Sequence, residues 1–344
     1  MQHRDSQLDA YRALVMIYIL CVIHVSYWLG MGKQPLKSLI LIEMPVIFFI
    51  SGAAMTFASR KGLYETTINR AKRVLFPYYI YFAVSAIVCI VIAIVNPGTI
   101  SIGWLKYGIC TFFLPKDNAL PLPYMSHLWF IVPYLLITCS FCFQQKIADR
   151  INRWLYMVIL VMGCIIAQFA GIRLLSEFMI YNVFFISGYF SVKKITTRYL
   201  VTILSATIIF LIVSTNAFSI SIFPMQYHKF PPDLIFLTFG IIAISALGLI
   251  FDKIKIPNNR ILRHWNKNGF TIYLYQNLVF AIYVIIIPEP LFGNTLIDAT
   301  LAAISIFLLS TMLSFITVPI EKFSTALLQY LVNYLKPNHL LTGK

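Results

Sequence analysis

Long apolar stretches, punctuated by short charged ones, run the whole length of the chain. Within each stretch the apolar residues are continuous and do not alternate with polar ones, which favours helices over the strands of a membrane β-barrel. Most are about 20 residues long, enough to cross a hydrocarbon layer of about 30 Å as a helix. Ten spans are predicted, over residues 11–30, 38–58, 74–95, 127–143, 154–172, 176–192, 199–215, 233–251, 269–288 and 296–318. The expected fold class is all-α, a polytopic transmembrane helical bundle. One membrane domain would cover residues 1–320, and 321–344 would form a short tail or amphipathic helix.

Composition agrees: 60% of the 344 residues are hydrophobic and 11% are charged, against about 25% charged in a soluble domain. The charged opening MQHRDSQLD leads into an apolar run without a small-residue cleavage site, so a retained first span is expected instead of a removed signal. The charges are also sorted. With the ten spans in place, 21 of the 27 Lys and Arg fall on the side that holds both termini. The positive-inside rule then places both termini in the cytoplasm of a cell inner (plasma) membrane protein. The net charge of +15 is accounted for by that bias and by the anionic leaflet it faces, with membrane lipids as partners and no nucleic acid.

Two local features stand apart from the spans. Residues 96–126 hold an apolar piece, ISIGWLKYGICTFFL, too short to cross comfortably and read as interfacial or re-entrant. FFISG occurs at 48–52 and again at 184–188. It is read either as a weak internal repeat or, preferably, as a small Ser-Gly pair that lets helices approach closely.

The candidate chemistry lies in polar residues that lipid does not explain. His24 sits twelve residues beyond Arg12, about 18 Å along a helix and so in the outer half of the first span. A buried ionisable ring marks either a functional cavity or a neutral packing contact. Glu43, early in the second span, is placed to orient His24 and favour its protonated form, or else to touch headgroups. His127 and Trp129, in SHLWF, are read as substrate contacts or as an aromatic belt. Gln276 and Asn277, deep in the ninth span, line a polar cavity or join helices. Glu321 reads as a surface charge just past the tenth span. Arg70 and Arg73 form R-x-x-R at the inner end of the third span. With Arg12 they suit the bidentate grip of phosphate, unless they serve only the positive-inside bias. The six cysteines read as small apolar filler, with no metal site expected; Cys139 and Cys142 alone are too few ligands.

Cations therefore gather at one end, while His24, Glu43 and His127 gather toward the other. An enzyme taking a phosphate-bearing donor from inside and serving an acceptor outside would want this asymmetry. A transporter or flippase for a glycolipid or small anion would use the same groups as a pathway without chemistry.

Several segments together resemble the acyltransferase-3 family of integral membrane acyltransferases. RDSQLDAYRALVMIYILCVIH is similar to its R-x-x-x-L-D-x-x-R opening followed by an apolar helix ending in His. FFISG with NRAKRVLFPYY, then SHLWF, then TIYLYQ, resemble its later motifs in order, so the likeness runs from residue 4 to about 320. The resemblance implies transfer of an acyl group, acetyl or succinyl, from cytoplasmic acyl-CoA to a hydroxyl of an envelope or exported carbohydrate or glycolipid. Acyl-CoA would be a co-substrate, with no bound cofactor. His24 would be the catalytic base, acting directly or through an acyl-histidine, and Arg12, Arg70 and Arg73 would hold the donor. Two departures stand out. Eleven residues separate Arg12 from His24 where the family has ten; one extra residue turns the ring about 100° on an ideal helix. Either a bulge absorbs it or Arg12 is not the family's arginine. Gln276 stands where the family often has His, and an amide bonds but does not trade protons.

Overall fold

The apolar runs fold as helices, because a backbone in hydrocarbon must satisfy its polar groups internally. In a computed structural model the described residues are 6–31, 33–57, 63–95, 126–191, 196–251, 253–257, 259–287, 291–292 and 295–335. The interfacial segment expected within 96–126 lies almost wholly outside them.

The first span is a helix in three pieces: α1 (Ser6–Tyr18), a π-helical turn (Ile19–His24) and α2 (Val25–Trp28). The second comprises α3 (Leu36–Leu39) and α4 (Glu43–Met55), and the third is α5 (Leu63–Val95). A 3-10 turn (Ser126–Phe130) leads into α6 (Ile131–Ala148). Then follow α7 (Arg153–Ala170), α8 (Arg173–Ser191) and α9 (Thr197–Phe218). The short α10 (Met225–Lys229) precedes α11 (Leu234–Phe251), α12 (Arg260–Ile286) and α13 (Thr295–Leu335).

Among the described residues, nine helices are long and apolar enough to cross a membrane. The remaining expected span, 176–192, is α8. It is a 19-residue helix, about 28 Å long, but less apolar because it carries Arg173, Glu177 and Asn182. Its polar groups are partnered. Within α8 the exposed Arg173 Nε donates to Glu177 Oε1 at 2.8 Å, and inside the bundle Asn182 Nδ2 donates to Gln144 Oε1 at 2.8 Å.

Three helices outrun their predicted spans by the widest margins. α5 and α12 begin in the basic segments that precede them, and α13 continues through Pro319 to Leu335 with no break near 320. Glu321 is consequently not a simple surface charge. It lies within α13 and accepts a hydrogen bond from the Thr271 hydroxyl.

α4 and α8 form the most extensive helix pair of the bundle, and the repeated FFISG explains how. A Cβ added at Gly52 would lie 1.7 Å from the Phe185 carbonyl oxygen, and one at Gly188 would lie 1.9 Å from that of Phe49. The glycine of each copy thus receives the second phenylalanine of the other, backbone against backbone, as small residues allow in membrane helices. The core around this pair is aromatic and aliphatic: Phe48 stacks on Tyr181, with ring centroids 4.8 Å apart. α12, packed on α1 and α13, closes the other side and brings Gln276 and Asn277 inward.

Candidate active site

The π turn decides where His24 points. A π turn holds one residue more than the α-helix it interrupts, so it takes up the additional residue between Arg12 and His24 without turning the two apart by a full 100°. The bulge expected as one resolution of the spacing is present at Ile19–His24. His24 is buried at 9% exposure. One ring face is covered by Trp28, one helical turn on, with centroids 4.0 Å apart and planes 8° from parallel. Phe280 packs edge-on against Trp28 at 4.8 Å and holds it there.

Gln276 Oε1 lies 2.7 Å from His24 Nδ1. An oxygen can only accept, so Nδ1 carries the proton, and in the neutral imidazole the lone pair is left on Nε2. No described residue hydrogen-bonds to that Nε2.

His127 is arranged the opposite way. Asn277 Nδ2 lies 2.8 Å from His127 Nδ1. An amide nitrogen can only donate, so Nδ1 accepts and the proton sits on Nε2. That Nε2 is buried and makes no hydrogen bond of good geometry, although the carbonyls of Tyr273 and Leu274 lie near the ring. The Tyr273 hydroxyl donates to the His127 backbone oxygen at 2.9 Å, and the Tyr273 ring packs 5.1 Å from the imidazole. Trp28 bridges the two histidines, edge-on to His127 at 6.0 Å, and Tyr81 closes the far side of His127 at 6.2 Å. Consecutive amides on α12 therefore hold two imidazoles from two other elements in opposite tautomers. One presents a proton acceptor and the other a donor.

Glu43 lies elsewhere than expected. It is 2% exposed, but its Oε1 accepts from Lys229 Nζ and not from His24, whose Nδ1 belongs to Gln276. Lys229, which reads in the sequence as an outer loop charge, is buried with it at 5% exposure and lies within electrostatic reach of His24. The loop that carries Lys229 is fixed at several points. Ser38 Oγ accepts from the Met225 amide at 2.9 Å. His228 sits 2.6 Å from Asp233 Oδ2 through Nδ1 and 2.8 Å from the Ser221 carbonyl through Nε2. Asp233 Oδ1 in turn accepts from the amides of Ile235 and Phe236, capping α11. The hydrogen bond to Asp233 raises the pKa of His228 above the ordinary imidazole value, against the opposing effect of burial.

The other expected residues separate. Trp129 is buried against Tyr181 and Phe230, and its ring contacts lie there instead of with the histidines; the site's tryptophan is Trp28. Arg12 lies two helical turns before the π segment and pairs with Asp9 at 3.9 Å. Arg73 is exposed on α5, and the Arg70 side chain lies outside the described residues. Among the described residues no group of three or more His, Cys, Asp and Glu is arranged to hold a metal ion. Trp28, Tyr273 and Lys229 are the residues that sequence reasoning missed. The first two had a signal, Trp28 at i+4 from His24 and Tyr273 one turn before Gln276 and Asn277, on the same helical faces. Lys229 had none.

A multi-pass bundle of apolar helices, with two buried histidines held by consecutive amides, defines an integral membrane protein. The chain belongs to the acyltransferase-3 family, whose acyltransferase-domain model matches residues 5–318, nearly its full length. It is therefore a membrane acyltransferase at the level of the family. No curated protein and no solved structure matches it.

Proposed function

We propose that the protein moves an acyl group, acetyl in the first instance, from cytoplasmic acyl-CoA to a hydroxyl of an envelope or exported carbohydrate. The observation that carries this reading is the pair of contacts from consecutive amides, Gln276 Oε1 to His24 Nδ1 and Asn277 Nδ2 to His127 Nδ1; in neutral rings they leave a lone pair on His24 Nε2 and a proton on His127 Nε2. The donor enters from the end that holds Arg12, Arg70 and Arg73, the cytoplasmic end by the charge bias. Those cations hold its phosphates. The thioester reaches the histidines along the bundle.

The acceptor hydroxyl attacks the thioester carbonyl carbon while His24 Nε2 takes its proton. Negative charge gathers on the carbonyl oxygen, which His127 Nε2–H is poised to stabilise in a water-poor setting. Collapse breaks the C–S bond, and the proton on His24 passes to the departing thiolate. The products are ester and free CoA, and His24 returns to its starting tautomer. Gln276 keeps Nδ1 protonated throughout. The Glu43–Lys229 pair forms a wall of the site and contributes position, not proton transfer.

The test is turnover by purified protein in nanodiscs with labelled acetyl-CoA, beside His24→Ala and His127→Ala. CoA release and labelled glycan that depend on both histidines are the expected result. Transport of an intact glycolipid without CoA consumption would replace this reading with a flippase.

A further inference from the structure

Away from the histidines, a cavity of about 350 Å³ opens between the first turns of α12 and the part of α13 around Pro319. Arg260, Arg263, Lys267 and Lys322 line it, with His264 and Phe315. The three cations of α12 recur at i, i+3 and i+7 and so form one stripe of the helix. Acidic residues are scarce around the stripe. The chain has no Asp or Glu between Asp252 and Glu289, and among the described residues no carboxylate pairs with any of the four. Glu321, the one acid on the facing stretch of α13, accepts from Thr271 and lies within electrostatic reach of its neighbour Lys322, so the excess charge rests on the three cations of α12.

A positive-inside bias requires only that cations lie on one side. It does not require them to ring a cavity, nor to meet an apolar wall. Here the wall is Phe315, 64% exposed and continuous with the exposed Met312 and Ile316 on the outer surface of α13. A ligand that suits both halves carries a phosphate at one end and an acyl chain at the other.

We propose that this cavity is a binding site for the phosphate headgroup of an anionic phospholipid, gripped by Arg260, Arg263, Lys267 and Lys322, with an acyl chain lying along Phe315. Basic pockets between membrane helices bind such headgroups. Coenzyme A offers the same phosphate chemistry, and the test separates the two sources.

The full-length protein is released from nanodiscs of mixed phosphatidylcholine and phosphatidylglycerol, and the retained lipids are counted by native mass spectrometry. Wild type retains phosphatidylglycerol in preference, and the preference weakens as salt is raised. Arg260→Gln with Arg263→Gln lowers it by about fivefold per cation removed. Lys322→Gln, on the other helix, lowers it separately. Lys146→Gln with Arg150→Gln removes the same charge from the end of α6 and the turn after it, and leaves the preference intact. Absence of a preference in wild type, or an equal loss in the control pair, overturns the proposal. So does a third result, in phosphatidylcholine alone: CoA binding that the α12 variants abolish while the phosphatidylglycerol preference survives. The lipid readout needs no turnover, so it stands or falls separately from the acyltransfer mechanism.

Discussion

Gln276 accepts from His24 Nδ1 at 2.7 Å across 252 residues of sequence separation, and this single contact decides which nitrogen of His24 is basic. Gln276→Leu is expected to lower kcat by about a hundredfold, the lower end of what acid–base groups contribute, with thermal stability far less affected. Nitrogen NMR of labelled histidine should show the single Nδ1–H form in wild type and a mixture in the variant. Gln276→His, which restores an acceptor, should recover most of the rate.

The π turn at Ile19–His24 gives a test by deletion. Removing Val22, an exposed residue inside it, should convert the turn to ordinary α-helix and keep His24 on its face, with activity within about tenfold of wild type. Removing Val15 from the regular part of α1 turns everything after it by about 100° and should abolish activity.

For Glu43 and Lys229, each single replacement strands a buried charge. Glu43→Leu or Lys229→Met alone should cost about 3–5 kcal/mol in unfolding. Together they should cost much less, and the double-mutant cycle measures the coupling. A stable double variant that retains turnover would confirm that the pair acts by position; a stable but inactive one would return Glu43 to the chemistry.

His228 and Asp233 make stability depend on pH. Because the folded-state pKa of His228 is raised, its contribution is complete below the unfolded value of about 6.5. It is lost as pH rises through the higher folded value. Asp233→Asn keeps the side-chain oxygen that caps α11 but loses the charge. It should lower Tm at pH 6 and have little effect at pH 9, where wild type has already lost the interaction.

At the helix crossing, Gly52→Ala and Gly188→Ala each drive a methyl into a carbonyl oxygen and should prevent folding or cost more than about 3 kcal/mol. Gly163→Ala meets only the flexible Met179 side chain, at 3.0 Å, and should be tolerated. Yield of monodisperse protein and Tm distinguish the three.

The bundle was legible because membrane spans announce themselves by continuous apolarity, and the basic loops ordered them. What periodicity hid were helices that continue into polar sequence. The openings of α5 and α12 are rich in Arg, Lys and Asn and carry no apolar run, so nothing in the pattern marks them as helical before they reach the span. α8 was legible as a helix although its Glu177 and Asn182 lower its hydropathy. At the site, His24, His127, Gln276 and Asn277 stood out as polar groups in apolar surroundings, but not which amide serves which ring, since the partners lie 252 and 150 residues apart. The partner of Glu43 was hidden for the same reason: Lys229 lies 186 residues away, in a segment whose only visible property was its charge.

As neutral tautomers the two amide-held imidazoles carry no net charge, and the nearby ion pair of Glu43 and Lys229 sums to zero. A membrane voltage of 100 mV does about 2.3 kcal/mol of work on a unit charge carried fully across, but on this centre it has nothing to pull. In the proposed reaction, proton transfer between a substrate hydroxyl and His24 moves charge over a single hydrogen bond. The chemical step should therefore run at the same rate in energised and de-energised membranes, leaving donor supply and acceptor delivery as the stages through which the state of the cell sets the pace.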